Sequence, residues 1–161
     1  MSHEILIRPA QPEDISLIAE LIRELAEYEE LGDSTSFSEA DIRQALFSER
    51  PDAEVLIGEV DKRAEGFALY FHNYSTFLGR KGLYLEDLFV RPSARGKGLG
   101  KHLLKELAKL AVNRDCARME WFVLDWNEHS IQFYKSLGAK PMEGWKIFRM
   151  SNDKIKALAH A

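Results

Sequence analysis

Glycine and basic residues alternate in the segment 95–101, which follows an apolar stretch ending at Val90. Glycines have no Cβ, so backbone N–H groups in this segment can come close to a ligand. A helix that begins here adds unpaired N–H donors and the positive end of its dipole, and these together bind phosphate. The side chains of Arg95, Lys97 and Lys101 supply matching charge. The segment therefore predicts a phosphate-binding loop, and the alternative is a flexible turn beside a basic surface patch.

Two common phosphate-binding motifs do not fit this segment. A Walker loop has a glycine where this sequence has Arg95, and a serine or threonine where it has His102. A Rossmann fingerprint would need a glycine in place of Lys101. The pattern that does fit is R-x-x-G-x-G, formed by Arg95, Gly98 and Gly100.

Two carboxylic acids, Glu86 and Asp87, interrupt the apolar segment 82–90. Side chains alternate along a strand, so we expect the two acids to point to opposite faces. Apolar surroundings raise the pKa of a carboxyl group and make it a credible proton acceptor. We therefore predict a catalytic role for Glu86 and a structural role for Asp87. The alternative is that both acids are bonded to backbone N–H groups.

Tyr134 shares one face of a predicted helix with Asn127 and Ile131, because the three positions are spaced i, i+4 and i+7. One face could therefore hold a ligand with the Asn127 amide and offer a phenol as a proton donor. The alternative is a tyrosine that only packs against its neighbours.

Acidic residues cluster toward the end of the first predicted helix. They are Glu20, Glu24, Glu27, Glu29, Glu30 and Asp33. Such a cluster attracts a cationic ligand. A solvated helix face is the alternative reading of the same charges.

The elements that position these residues follow from hydrophobic periodicity and capping signals. Helices are predicted at 12–31, ended by Gly32, from Ser38, at 99–113 and at 127–137, with a possible terminal helix. Strands are predicted at 4–9, 53–60, 65–73, 82–90, 117–125 and 145–150. Helices come first, a run of strands follows, and strands then alternate with helices. This order predicts an α/β domain around one mixed sheet.

Composition restricts the class of protein. A chain of 161 residues, 45% hydrophobic and 30% charged, suits one domain over 1–161. No apolar run approaches the ~20 residues of a membrane span, and the start of the chain lacks a secretory pattern. The single cysteine, Cys116, excludes an intrachain disulfide and fits a reducing cytoplasm. The net charge of -4 and the scattered histidines predict no nucleic-acid, membrane or metal partner.

The R-x-x-G-x-G pattern is accompanied, in order, by the blocks RELAEYE, YLEDLFV, RGKGLGKHLL, VLDWNEHSIQFYKSLGA and EGW. Together they resemble the GNAT superfamily of N-acetyltransferases, and within it the diamine acetyltransferase family. That family includes spermidine/spermine acetyltransferases and a branch acting on thialysine, a lysine analogue. The resemblance implies a GNAT fold, with a central mixed, mostly antiparallel sheet of six to seven strands flanked by about four helices. It also implies a homodimer.

The resemblance further implies acetyl-CoA as co-substrate, no metal, and direct acetyl transfer to a primary amine of a small cationic substrate. The residue matching Glu86 takes the amine proton through water, which is needed because an alkylammonium with a pKa of about 10.4 is almost fully charged at pH 7. The residue matching Tyr134 protonates the leaving thiolate. Substrate contacts are expected at Tyr28, Glu29 and Glu86. Acetyl-CoA contacts are expected at Leu88, Phe89, Val90, Arg95, Gly96, Lys97, Gly98, Leu99, Gly100, Lys101, Asn127, Ser130 and Tyr134.

The acceptor amine stays open between a polyamine, a diamine, thialysine and a protein amine. Family members usually have tryptophan where this chain has Phe77, and the polyamine branch has proline where it has His129. The segments NYSTFLGR and VLDWN are closer to the thialysine branch. Two alternatives remain: a protein lysine or N-terminal acetyltransferase, and a non-catalytic acyl-CoA-binding sensor.

Overall fold

A five-stranded sheet forms the centre of the structure, a computed structural model that describes residues 2–161. The strands are β1 (Ile5–Pro9), β2 (Glu54–Val60), β3 (Arg63–Ser75), β4 (Arg80–Val90) and β5 (Met119–Trp121). They lie in the order β1-β2-β3-β4-β5. The pairs from β1 to β4 are antiparallel, and β5 pairs with β4 in parallel. The parallel pair requires a crossover, which the helix between β4 and β5 provides. The predicted mixed, mostly antiparallel sheet is confirmed, with five strands instead of six to seven.

Five α-helices occur within residues 2–161. They are α1 (Ile15–Tyr28), α2 (Glu39–Phe47), α3 (Leu99–Asn113), α4 (Glu128–Ser136) and α5 (Asn152–Ala159). Ser38 begins α2 with a capping box, in which its hydroxyl accepts from the Asp41 N–H and the Asp41 carboxylate accepts from the Ser38 N–H. The apolar stripes of α1 and α3 are buried, as at Ile18 and Leu107, which are both 0% exposed.

The first helix ends earlier than its sequence pattern indicates. A 3-10 turn, Pro12–Asp14, precedes α1, and the helix ends at Tyr28 rather than at residue 31. Glu30 adopts a left-handed φ of 61°, which closes the last turn before Gly32 is reached. The consequence is that Tyr28 and Glu29 lie at the end of the helix and not along its side.

Two predictions about the last strands are wrong. β5 has three residues, whereas a strand over 117–125 was expected, and residues 145–150 form no strand. Trp145 and Phe148, which carry the alternating pattern there, are exposed. A strand needs a hydrogen-bonded neighbour in register, and this segment has none among the residues that the structure describes.

The chain divides into two compact units, Met1–Leu124 and Asp125–Ala161. The first unit contains the sheet and α1 to α3, and the second contains α4 and α5. The single domain expected from the length stays a prediction. Within residues 2–161, no helix combines the length and the hydropathy that a membrane span requires.

Candidate active site

A β-bulge in β4 lies at Glu86, the predicted catalytic acid. Leu69 of β3 pairs with Asp87, and the next residue, Tyr70, pairs with Leu85. Glu86 is therefore the extra residue of the bulge and has no partner across the ladder. The bulge interrupts the strict alternation on which the expectation of opposite faces rested.

The two neighbouring acids lie in different environments. Glu86 is exposed, because the bulge lifts it out of the paired ladder. Burial, together with the negative charges of Glu86 and Glu29, raises the pKa of Asp87 to about 7. Burial also raises the pKa of Glu29 at the end of α1. The apolar surroundings predicted for Glu86 are thus found at Asp87. Because the charge of Glu29 acts on Asp87, the end of α1 lies near the bulge of β4, and we refer to Glu29, Glu86 and Asp87 as the acidic site.

Half of β4 has an unpaired edge. β5 pairs with β4 only at residues 83–85, and among residues 2–161 no strand pairs with residues 86–90 on that side. On the other side, Leu88, Phe89 and Val90 are paired with β3. Backbone groups along an open edge can bind an extended ligand as an added strand does. The three predicted acetyl-CoA contacts on β4, Leu88, Phe89 and Val90, all lie within this stretch.

The glycine-rich segment enters α3 through two left-handed residues. Gly96 has a φ of 77° and Gly98, the N-cap of α3, has a φ of 90°. Among the described residues no side chain caps this helix, and its first turn contains no acidic residue. A Cβ added at Gly96 would have no atom within 4 Å, so the space beside the loop is open. The uncapped N–H groups, the open space and the basic residues fit a diphosphate.

The guanidinium of Arg95 lies against the end of α1. Its Nε donates to the backbone oxygen of Val90 at 3.0 Å. Its Cζ lies 4.6 Å from the ring centroid of Tyr28 and 5.9 Å from that of Phe89. A residue predicted to bind the cofactor therefore contacts a residue predicted to bind the substrate.

Two glycines that sequence reasoning missed position the start of α3. Gly58 and Gly66 pair across β2 and β3, and the Leu99 side chain lies against both. A Cβ at Gly58 would lie 2.7 Å from Leu99 Cδ1, and one at Gly66 would lie 2.6 Å from the Phe89 oxygen. Leu99 is 1% exposed, so it can contribute only its backbone to a ligand. The signal in the sequence was a glycine in each of two apolar strands, which marks a close approach of another element.

The acidic residues of α1 divide into two groups. Glu20 and Glu24 are bound to the Arg91 guanidinium, with Glu24 Oε1 at 2.9 Å from Nη2, and they tie α1 to the end of β4. Glu29 instead belongs to the acidic site with Asp87. Glu20 is nevertheless 60% exposed, so the solvated-face interpretation stays open for the rest of the cluster.

The second unit holds the remaining predicted site residues. Asn127 is the N-cap of α4, and its side-chain oxygen accepts from the Ser130 N–H at 3.2 Å. Tyr134 lies two turns further along α4, with its ring centroid 5.6 Å from that of Phe133. Asn127 precedes the helix as its cap, and Ile131 and Tyr134 lie within it, three positions apart and so on one face.

The chain is similar to known acetyltransferases over nearly its full length. Residues 18–139 match the Acetyltransferase (GNAT) family. A thialysine N-epsilon-acetyltransferase from Bos taurus is 38% identical, over 96% of this chain and 97% of that protein. An L-ornithine N5-acetyltransferase from Arabidopsis thaliana is 31% identical, over 94% of this chain and 86% of that protein. The solved structure of an integron cassette protein from V. cholerae matches with a TM-score of 0.80 and 31% identity, over 100% of this chain and 99% of that one.

Proposed function

The chain belongs to the Acetyltransferase (GNAT) family and is an N-acetyltransferase, and from this premise we propose that it acetylates a primary amine of a small dicationic or lysine-like molecule. Members of this family use acetyl-CoA as co-substrate. Among the acceptors that the sequence left open, this proposal favours diamines and lysine-like amines over a protein amine.

The acidic site formed by Glu29, Glu86 and Asp87 is the observation that carries this proposal. Three carboxyl groups converge from the end of α1 and the bulge of β4, and burial raises the pKa of Asp87 and of Glu29. Crowded carboxyl groups repel one another, and a cation between them removes that repulsion. The site therefore favours a substrate with a positive charge beyond the reacting nitrogen.

The proposed reaction divides the proton transfers between two residues. Glu86, exposed on the bulge, accepts a proton from the substrate ammonium through water and leaves a neutral nitrogen. This nitrogen attacks the thioester carbonyl carbon, a C–N bond forms, and the C–S bond breaks. The phenol of Tyr134 donates a proton to the departing sulfur, and the resulting phenolate takes up the second proton that the attacking nitrogen loses as the amide forms. The products are the acetylated amine and the free thiol of coenzyme A.

The proposed cofactor contacts use main chain more than side chains. We expect the unpaired edge at residues 88–90 to bind the arm of acetyl-CoA. We expect the uncapped start of α3, at residues 96–101, to bind its pyrophosphate. Arg95, Lys97 and Lys101 add charge. Asn127 and Ser130 would hold the arm from α4.

The relatives support a substrate with two charged nitrogens. Thialysine and ornithine, named as substrates of the two similar enzymes, are amino acids with an amine at the end of the side chain. We infer that a carboxylate such as Glu29 recognises the distal charge while the terminal amine reacts. A protein lysine lacks a free α-amino group and would not use this second contact.

The experiment measures turnover of acetyl-CoA with a panel of acceptor amines, using the release of free thiol as the signal. The panel contains thialysine, ornithine, lysine, a diamine, spermidine, a monoamine and a lysine peptide. We expect the highest kcat/KM among the free amino acids and diamines, and at least several-fold less with the monoamine. Highest activity on the peptide would make the chain a protein acetyltransferase, and no turnover of any amine would make it a binding protein.

Glu29→Gln tests the recognition of the distal charge directly. We expect KM for the preferred dication to rise several-fold, because a partly buried ion pair is worth somewhat more than the 0.2–1 kcal/mol typical of an exposed pair. KM for the monoamine should change little. Glu27→Gln makes the same change on an exposed residue of α1 and serves as the control. Equal effects of the two variants would contradict the role of Glu29.

The cytoplasmic location and the homodimer stay predictions that rest on the sequence. Sedimentation at micromolar concentration checks the dimer, for which a single species of about twice the 18.5 kDa chain mass is expected.

A further inference from the structure

The Arg95 side chain is held at two points by other residues of the chain. Its Nε–H donates to the Val90 oxygen at 3.0 Å, and its guanidinium lies over the Tyr28 ring at 4.6 Å. The Tyr28 ring is itself supported by Phe89, a buried residue, at a centroid distance of 6.4 Å. An arginine on the rim of the loop is thus stacked on an aromatic pair formed by α1 and β4.

This arrangement leaves the Nη donors of the Arg95 guanidinium accessible. The five N–H donors of arginine lie in one plane, whereas stacking uses the face of that plane. Only Nε is bonded to Val90. The Nη donors therefore remain at the edge of the stack, in the geometry that binds two phosphate oxygens. Arginine otherwise loses much rotamer freedom on binding, and a side chain ordered beforehand loses less.

We propose that Tyr28 is a positioning residue for the co-substrate, which acts through Arg95. Its ring holds the guanidinium in place for the pyrophosphate, while its position at the end of α1 beside Glu29 places it at the amine site. This proposal rests on the proposed function, since it takes Arg95 to bind the pyrophosphate.

The test measures the affinity for coenzyme A by calorimetry, without any amine present. Tyr28→Leu removes the ring, and we expect the Kd to rise about two- to five-fold, the effect of an exposed cation–π contact. Tyr28→Phe keeps the ring and should keep the wild-type Kd. Phe37→Leu is the matched control, because it removes a second stack on α1, that of Arg23 at 5.0 Å, outside the loop. Tyr28→Met replaces Tyr28→Leu if circular dichroism shows that the latter is unfolded.

A double-mutant cycle separates a role through Arg95 from a direct role. Arg95→Gln should raise the Kd for coenzyme A more than Tyr28→Leu does. The double variant should have the same Kd as Arg95→Gln alone. An unchanged Kd in Tyr28→Leu would overturn the proposal. So would an equal loss of affinity when Tyr28→Leu is made in the wild type and in the Arg95→Gln variant. An unchanged Kd in Arg95→Gln as well would instead remove Arg95 from the proposed cofactor site. The proposed acetylation of an amine is tested separately, by the acceptor panel.

Discussion

Glu86 and Asp87 are neighbours in the chain, but they have different surroundings. The bulge leaves Glu86 exposed, while burial and two nearby negative charges raise the pKa of Asp87 to about 7. An exposed carboxylate exchanges protons readily with solvent, which suits the role proposed for Glu86. A half-buried acid that holds its proton near neutral pH limits the negative charge of the site.

Asp87→Asn is expected to stabilise the protein at pH 8 and to have little effect at pH 4. The pKa of Asp87 in the folded state is about 7, above the 3.8 of the free side chain, so between these values the folded state binds more protons than the unfolded state. Stability contributed by this group is therefore lost as the pH rises from about 4 to 7. Each unit of pKa difference corresponds to about 1.4 kcal/mol, so the gain at pH 8 should reach a few kcal/mol.

Urea unfolding of the wild type and the variant at pH 4, 6 and 8 measures this difference. Asp33→Asn makes the same substitution at an exposed position and should show no such dependence on pH. A constant difference between wild type and Asp87→Asn at all three pH values would show that the pKa of Asp87 is the same in the folded and the unfolded state.

Tyr134→Phe should reduce turnover and leave the affinity for coenzyme A unchanged, because it removes only a hydroxyl group. A general acid contributes about 10²–10⁴-fold, and the loss should lie at the lower end because a thiol with a pKa of about 8.5 already leaves readily. Tyr74→Phe, at an exposed tyrosine of the β3–β4 hairpin, is the control. Turnover equal to wild type between pH 6 and 9 would remove Tyr134 from the reaction.

Glu86→Gln should slow turnover most at neutral pH. The defect should decrease as the pH rises, because a larger fraction of the amine is then neutral without a base. The ratio of wild-type to variant kcat/KM between pH 6.5 and 9.5 measures this effect. A ratio that does not vary with pH would indicate positioning instead of proton transfer.

At the scale of elements, the start of α3 depends on contacts made by other elements. The side chain of Leu99 fits against Gly58 and Gly66, and this contact fixes the first turn of the helix on the sheet. The left-handed Gly98 then presents the first N–H groups without a capping side chain. The phosphate site proposed here is therefore an arrangement of backbone, and substitutions that displace the backbone should affect it most.

Gly98→Val is expected to weaken coenzyme A binding by about tenfold or more while the fold is retained. A β-branched residue is strained at a φ of 90°, so the loop must move away from the position where its N–H groups meet phosphate. Gly79→Val at the β3–β4 turn, where φ is 65°, introduces comparable strain outside the loop. Calorimetry and circular dichroism measure binding and fold. Similar affinities for the two variants would show that the loop does not bind the cofactor.

At the scale of the whole molecule, charge is distributed unevenly. The net charge is -4. Arg91 offsets only one of the two negative charges of Glu20 and Glu24, and the acidic site formed by Glu29, Glu86 and Asp87 adds to the remaining negative charge. The basic side chains of residues 95–101 lie next to this site along the chain. A cationic amine and an anionic co-substrate are thus attracted to neighbouring regions of one surface.

Salt should therefore raise KM for a dicationic amine more than for a monoamine. The Debye length falls from about 10 Å at 0.1 M to about 3 Å at 1 M, so the attraction of an exposed site is screened over this range. We expect a several-fold increase for the dication in the wild type and a smaller one in Glu29→Gln. Steady-state kinetics at 0.05, 0.15 and 0.5 M salt measure it. The same salt dependence for both amines would refute recognition of the second charge.

The sequence by itself determined the elements that have strong local signals. α3 was predicted at its observed bounds because leucines recur on one face of the helix, and α2 because Ser38 forms a capping box. The antiparallel strands β1 to β4 follow from apolar runs separated by turns. The glycine-rich loop could be predicted because its chemistry depends on residue type and on its place before a helix. These signals all lie within about twenty residues of chain.

Only the tertiary structure decided features that depend on residues distant in the chain. Burial raises the pKa of Asp87, while a bulge leaves Glu86 exposed. The bulge depends on register with β3, which periodicity does not encode. Arg95 stacks on Tyr28, 67 positions earlier, because α1 ends early and Phe89 supports the ring. Residues 145–150 alternate as a strand does but form none, since pairing requires a partner that no local pattern can supply.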